Sequence, residues 1–296
     1  MPVVERDPES GYLMTGHEWD GIKELNTPVP KVVYFSLIVT TLFSIGYWLL
    51  MPAWPLGSTF TKGLLDTNDR AELKTSLDLA AADRAVWTNQ IETKSYAEIE
   101  RDPRLMTAVR ETGRVLFGDN CSVCHGRTAT GGPGFPNLTT PSWLWGGTPE
   151  AIAQTIKVGI NATHPDTRVS QMPAFGRDGM LKRDEMESVV AYVLSLSRPA
   201  TAPSPDKAQA TKIAAGKAVF AANCVACHGA DGKGNVEMGA PNLTDQYWIH
   251  GSDEASLYRD VWGGLQGHMP SWEGRLSPVD RKILALYLFD LRTHKP

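Results

Sequence analysis

Two stretches, GRVLFGDNCSVCHGR (Gly113–Arg127) and GKAVFAANCVACHGA (Gly216–Ala230), decide how this chain folds, and all four of its cysteines lie in them. Each holds C-x-x-C-H, as CSVCH (Cys121 to His125) and CVACH (Cys224 to His228). On one helical turn, residues three apart share a face, so both sulfurs of a motif can form thioethers to the two vinyl groups of one heme. The adjacent histidine then sits under the iron as its proximal ligand. A zinc site built from two such cysteine pairs usually separates them by about 15 to 20 residues, far less than here. A thioredoxin-like C-x-x-C needs a strand-helix-strand setting and no following histidine. The pattern therefore predicts two covalently bound heme c groups.

Working outward, the two motifs prove to be the centres of an internal repeat. Gly113, Phe117, Cys121, Cys124, His125 and Gly126 recur 103 residues later as Gly216, Phe220, Cys224, Cys227, His228 and Gly229. A proline loop follows in each copy, GFPNLT (Gly134 to Thr139) and GAPNLT (Gly239 to Thr244). An iron-bound imidazole needs an acceptor for its other ring N–H, and the carbonyls of Pro136 and Pro241 are placed to supply it. Met172 (QMPAFG) and Met269 (HMPSWEG) lie downstream of a heme motif in Gly/Pro-rich loops, just before an apolar-periodic segment. A thioether is a soft ligand that favours reduced iron, so these two are the candidate distal ligands. Met238 beside the second proline loop is the rival for the second repeat, while His164, His250 and His268 read as loop or surface residues. Each repeat ends in a helix by its periodicity, DEMESVVAYVLSLS (184 to 197) and DRKILALYLFDLR (280 to 292). The expected heme domains are residues 107–198 and 210–296, joined by a Pro/Ala/Ser linker at 199–209.

Upstream, Val32 to Met51 is a 20-residue stretch without a charge, long enough to cross the roughly 30 Å hydrocarbon core of a bilayer. Tyr34, Tyr47, Trp48 and Trp54 lie towards its ends as interfacial anchors would. The acidic segment before it is unlike the basic start of a signal peptide, so residues 32–51 read as an uncleaved anchor. Charges flanking it are too even to orient it. Covalent heme attachment takes place outside the cytoplasm, which predicts a cytoplasmic segment 1–31 and periplasmic heme domains. Residues 52–106 read as a polar helical connector with too few large apolar side chains for a core of its own. Composition fits a folded protein, with 42% hydrophobic and 21% charged residues. A net charge of −4 gives no basic footprint for nucleic acid.

Both repeats resemble class I cytochrome c domains: G-x-x-x-F before CxxCH, the proline loop, the methionine loop and a closing helix with an aromatic (Tyr192, Tyr287). The whole layout, with H-x-W-D-G-I-x-E-x-N-x-P-x-P at His17 to Pro30, is similar to the diheme subunit of cbb3-type cytochrome c oxidase. That resemblance implies a mainly α fold, one N-terminal transmembrane helix and two tandem cytochrome c domains in a bacterial inner membrane. It implies a non-catalytic electron-transfer subunit of a proton-pumping oxidase in aerobic respiration. Its partners would be a donor cytochrome c or the quinol-oxidising complex, a monoheme cytochrome c subunit and the catalytic heme-copper subunit. A diheme peroxidase, or an anchored carrier serving another reductase or dehydrogenase, are the other readings. Spacing from His125 to Met172 and from His228 to Met269 suits ligation within each repeat. The resemblance implies exchange instead: Met269 on the iron above His125, and Met172 on the iron above His228.

Overall fold

A computed structural model describes residues 5–199, 201 and 203–293. Residues 1–4 of the N-terminal segment, Ala200 and Ala202 of the linker, and 294–296 at the end of the second repeat lie outside the described residues. The chain divides into two compact units, one up to Asp83 and one from Arg84 onward.

The first unit opens with a hairpin that periodicity alone does not announce. Strands β1 (Met14–Trp19) and β2 (Ile22–Leu25) pair antiparallel, with Trp19 opposite Ile22. Asp20 and Gly21 between them both adopt positive φ, 49° and 83°, the two-residue turn whose twist matches paired strands. Trp19 Nε1 donates to Glu24 Oε1 at 3.1 Å and Lys23 pairs with Glu5 at 2.6 Å. Helix α1 (Lys31–Leu50) carries no buried residue and is long and apolar enough to cross a membrane. The hydroxyls of Thr40 and Ser44 donate back to Ser36 O and Thr40 O, so neither would be left unsatisfied in lipid. A tight pair, β3 (Pro55–Leu56) and β4 (Thr59–Phe60), follows the helix. Helix α2 (Asp69–Thr93) is capped by the Asn68 side chain, and Asp69 and Glu72 in its first turn suit the helix dipole.

The second unit is all helical. Trp87 and Ile91 on the last turns of α2 sink into its core, as do Tyr96 and Ile99 of the short helix α3 (Tyr96–Glu100). From Arg84 onward, the polar connector is thus held by a few apolar anchors on a core built elsewhere in the second unit. The first repeat supplies α4 (Pro103–Asn120), α5 (Ser122–His125), α6 (Pro149–Val158) and α7 (Arg183–Leu196). The second supplies α8 (Lys207–Asn223), α9 (Val225–His228), α10 (Glu254–Gly263) and α11 (Pro278–Thr293). Side chains of Asp102, Thr148, Asp206 and Asp253 cap α4, α6, α8 and α10.

The two repeats exchange their closing helices. α7 packs on α8 and α10 of the second repeat, and α11 packs on α4 and α6 of the first. One core joins Val109, Phe117, Ile152 and Ile156 to Ile283, Leu284 and Tyr287; the other joins Val189, Val190 and Val193 to Phe220 and Leu257. Chain connectivity gives the physical reason. Helix α7 ends at Leu196 and α8 begins at Lys207, a short connection that favours packing the two as neighbours. With α7 occupied there, the apolar face of α4 is left for α11. The repeated glycine of G-x-x-x-F is the point of close approach in each crossing. A Cβ on Gly113 would lie 2.6 Å from Tyr287 Cβ, and one on Gly216 would sit on the Ser188 carbonyl oxygen and 2.9 Å from Tyr192 Cβ. Arg110 on α4 makes a two-pronged bond to the buried Asp290 of α11, at 2.8 and 2.9 Å.

Candidate heme sites

Helix α4 delivers Cys121, whose N–H closes its last turn on Phe117 O at 2.8 Å. The single turn of α5 continues from it, with the Cys124 and His125 N–H groups both donating to Cys121 O at 3.2 and 3.0 Å. Gly126, at φ 74°, ends the turn, and its counterpart Gly229 is at 76°. The second repeat reproduces each step: Cys224 N to Phe220 O at 2.8 Å, then Cys227 and His228 to Cys224 O at 3.2 and 2.9 Å. Two sulfurs one turn apart, with an imidazole directly after them, is the arrangement both motifs were expected to make.

The imidazoles are held by the proline loops. His125 Nδ1 lies 3.2 Å from Pro136 O, and His228 Nδ1 lies 3.1 Å from Pro241 O. A carbonyl only accepts, so Nδ1 carries the proton and Nε2 keeps its lone pair for a metal. Burial pushes both imidazoles below the ordinary histidine range, more strongly than the carbonyl bond raises them, which keeps them neutral. Burial, with a smaller contribution from the neighbouring cysteine, pushes the Cys121 and Cys224 thiols up to about 11, opposite to what a redox-active thiolate requires. The loops are shaped to reach the ring: a Cβ on Gly131 or Gly234 would meet the carbonyl of Phe135 or Ala240. Donor set, tautomer and loop closure all fit a covalently attached heme.

Each methionine loop is tied to the other repeat. Met269 and Ile160 exchange both backbone hydrogen bonds at 2.9 Å, and Met172 and Leu265 do so at 2.8 and 3.1 Å. Ile160 follows α6 and Leu265 follows α10, so the two bridges are equivalent. Their geometry needs the glycines that end those helices. Gly159 and Gly264 sit at φ 70° and 69°, and a Cβ there would come within 2.5 Å of Met269 O and 2.6 Å of Met172 O. Met269 packs against the core that holds Phe117 and Cys121. Met238 is exposed beside its own loop. Among the histidines, His164 Nε2 bonds Glu273 Oε2 at 2.7 Å and His268 Nδ1 faces Asn161 O at 3.0 Å.

Three family models match in tandem. Residues 11–58 match the N-terminal domain of cytochrome oxidase-cbb3, FixP; residues 110–197 match cytochrome c; and residues 211–288 match cytochrome c oxidase, cbb3-type, subunit III. The chain is 47% identical over 287 residues to the cbb3-type cytochrome c oxidase subunit FixP of Bradyrhizobium sp. (strain ORS 278), covering 97% of each. It is 44% identical to the FixP subunit of Sinorhizobium medicae, covering 96% of each, and 42% identical to the CcoP subunit of Azospirillum sp. (strain B510), covering 97% of each. The chain belongs to the FixP/CcoP family of cbb3-type cytochrome c oxidase subunits.

As a FixP/CcoP subunit it carries two covalently bound heme c groups in two tandem cytochrome c domains, and its role in the oxidase is electron transfer. The apolar helix α1 fits an anchor for such a subunit. Beyond the motifs, this FixP/CcoP chain has a residue that spacing gave no reason to single out. Asn161, at φ 49°, donates through Nδ2 to both Ser170 O and Gly267 O and accepts from Ser170 N through Oδ1, so it staples the two methionine loops together. Its signal in the sequence is an asparagine just past a helix-ending glycine, in a place that favours left-handed backbone.

Proposed function

We propose that this chain is the electron-entry subunit of its oxidase. It takes electrons from a donor cytochrome c or the quinol-oxidising complex and hands them to the monoheme cytochrome c subunit, which feeds the oxygen-reducing heme-copper subunit. When bound, heme c supplies a one-electron iron couple. The chain's own residues fix the sites: His125 with Met269 for the heme on Cys121 and Cys124, and His228 with Met172 for the heme on Cys224 and Cys227. The paired bridges Ile160–Met269 and Leu265–Met172 carry this assignment, because each ties a methionine backbone to the helix-ending loop of the opposite repeat. With helices and methionines both exchanged, the two sites share one scaffold although a Pro/Ala linker joins the repeats. A heme held by one of these histidines and one of these methionines would have no open position for oxygen, which would leave oxygen chemistry to another subunit. The heme domains face the periplasm and residues 1–31 the cytoplasm, since heme attachment takes place outside the cytoplasm.

Affinity capture of the full chain from a detergent extract tests the assembly. It should bring down an oxygen-consuming heme-copper subunit together with a monoheme cytochrome c. Recovery of the diheme chain alone, with both hemes intact, would remove the electron-entry role.

A further inference from the structure

Among the described residues, two buried side-chain polar atoms lack a hydrogen-bond partner: Trp145 Nε1 and Arg168 Nε. Both are donors, and they belong to one cluster. The Arg168 guanidinium lies over the Trp145 indole, with its carbon 5.0 Å from the ring centre, while its NH2 group donates to Ala151 O at 3.3 Å. Buried donors are nearly always satisfied, so an adjacent pair of unpaired donors, one of them cationic, marks the place of an anionic acceptor. Glu237 adds a favourable charge to Arg168 but makes no hydrogen bond to it, and burial still lowers the guanidinium below its ordinary value.

The surroundings identify the acceptor. Trp145 follows the proline loop that holds His125, and it also covers the one that holds His228, since a Cβ on Gly239 would fall on the indole ring. Ser170 Oγ donates to Gly239 O at 3.5 Å across the same seam. Arg168 pairs with Ile160 through its backbone, and Ile160 is the residue bridged to Met269. The donors therefore sit where the loops of both heme sites converge, and the anions that a bound heme brings there are its propionate carboxylates.

We propose that Trp145 Nε1 and Arg168 Nε are the donors to a heme propionate at the seam between the two repeats, and that they set the potential of the heme that owns it. The second repeat has no equivalent pair. In the repeat frame His250 stands where the first has Trp145, and the stretch from Gly264 to Met269 is too short to include a counterpart of Arg168. One propionate is thus held by a cation and the other heme lacks that hold. A positive charge beside a heme carboxylate favours reduced iron, so the pair raises one midpoint potential relative to the other.

This rests on both hemes being bound, which pyridine hemochrome analysis measures independently of potential. Redox titration of the purified full chain, with the two heme spectra resolved, tests the pair. Arg168→Gln should lower one midpoint by at least a tenfold change in its redox equilibrium, about 59 mV for one electron, and leave the other in place. The heme whose spectrum shifts is the one whose propionate is held. Trp145→Phe keeps a ring under the guanidinium and removes only the N–H; it should lower the same midpoint by less. Arg168→Lys keeps the charge and should restore part of the loss. Should Arg168→Gln fail to accumulate, Trp145→Phe alone decides. Unmoved midpoints in Trp145→Phe with two hemes attached, or equal falls of both midpoints in Arg168→Gln, would overturn the assignment.

Discussion

Exchange of the closing helices makes a sharp prediction at Gly216. Replacing it with alanine places a methyl group on the Ser188 carbonyl oxygen of α7 and 2.9 Å from Tyr192 Cβ. The obstacle is backbone, so α7 and α8 must move apart. Overpacking of this kind costs about 1–3 kcal/mol. Alanine in place of glycine inside a helix returns about 1 kcal/mol through propensity. A net loss of up to about 2 kcal/mol remains, by the same two principles. Gly118 on α4 provides the control, because a Cβ there meets nothing within 4 Å. Gly118→Ala should gain about 1 kcal/mol from propensity alone. Thermal or urea unfolding of the detergent-solubilised holoprotein, followed by circular dichroism and by heme absorbance, compares the two. If Gly216→Ala proves as stable as Gly118→Ala, the close crossing of α7 over α8 is wrong.

Three further outcomes are expected. Gly159→Ala forces a side chain into left-handed backbone and against Met269 O; it should perturb the heme on Cys121 and Cys124, read by loss of the methionine-to-iron charge-transfer band for that heme. Glu273 is held below the ordinary carboxylate range by its bond to His164 and then by Lys157; a depressed folded pKa contributes stability above the ordinary value near 4.5 and loses it as pH falls through the folded value. Acid titrations of the wild type and Glu273→Gln should accordingly differ slightly at neutral pH and converge at low pH, the group being solvent-screened. Deleting residues 5–28 removes the β1–β2 hairpin with its exposed Trp19 and Ile22, and should weaken capture of the other oxidase subunits while both heme spectra stay intact.

The turns from Cys121 to His125 and from Cys224 to His228 were legible because thioether attachment of a heme demands two sulfurs at one spacing and a histidine beside them. Pro136 and Pro241 were legible as acceptors because an iron-bound imidazole requires one. The hairpin at Met14–Leu25 carries a signal too, the Asp20-Gly21 pair, but among charged residues it has no apolar alternation to support it. Helix exchange leaves no such trace. The two closing helices have the same periodic stripe with Tyr192 and Tyr287 at matching places, so either would fit either glycine-bearing partner. What separates the alternatives is the short connection from Leu196 to Lys207, whose effect appears only when the helices are packed. The Trp145–Arg168 pair is likewise invisible in sequence, since its meaning lies in two donors left without acceptors.

A single-heme chain measures exchanged methionine ligation most directly. In the full chain with Cys224→Ala and Cys227→Ala, the one remaining heme is attached at Cys121 and Cys124, and its methionine-to-iron charge-transfer band reports the distal ligand. With exchanged ligation, Met269→Leu abolishes that band and Met172→Leu leaves it. Loss of the band in Met172→Leu, with retention in Met269→Leu, would contradict it.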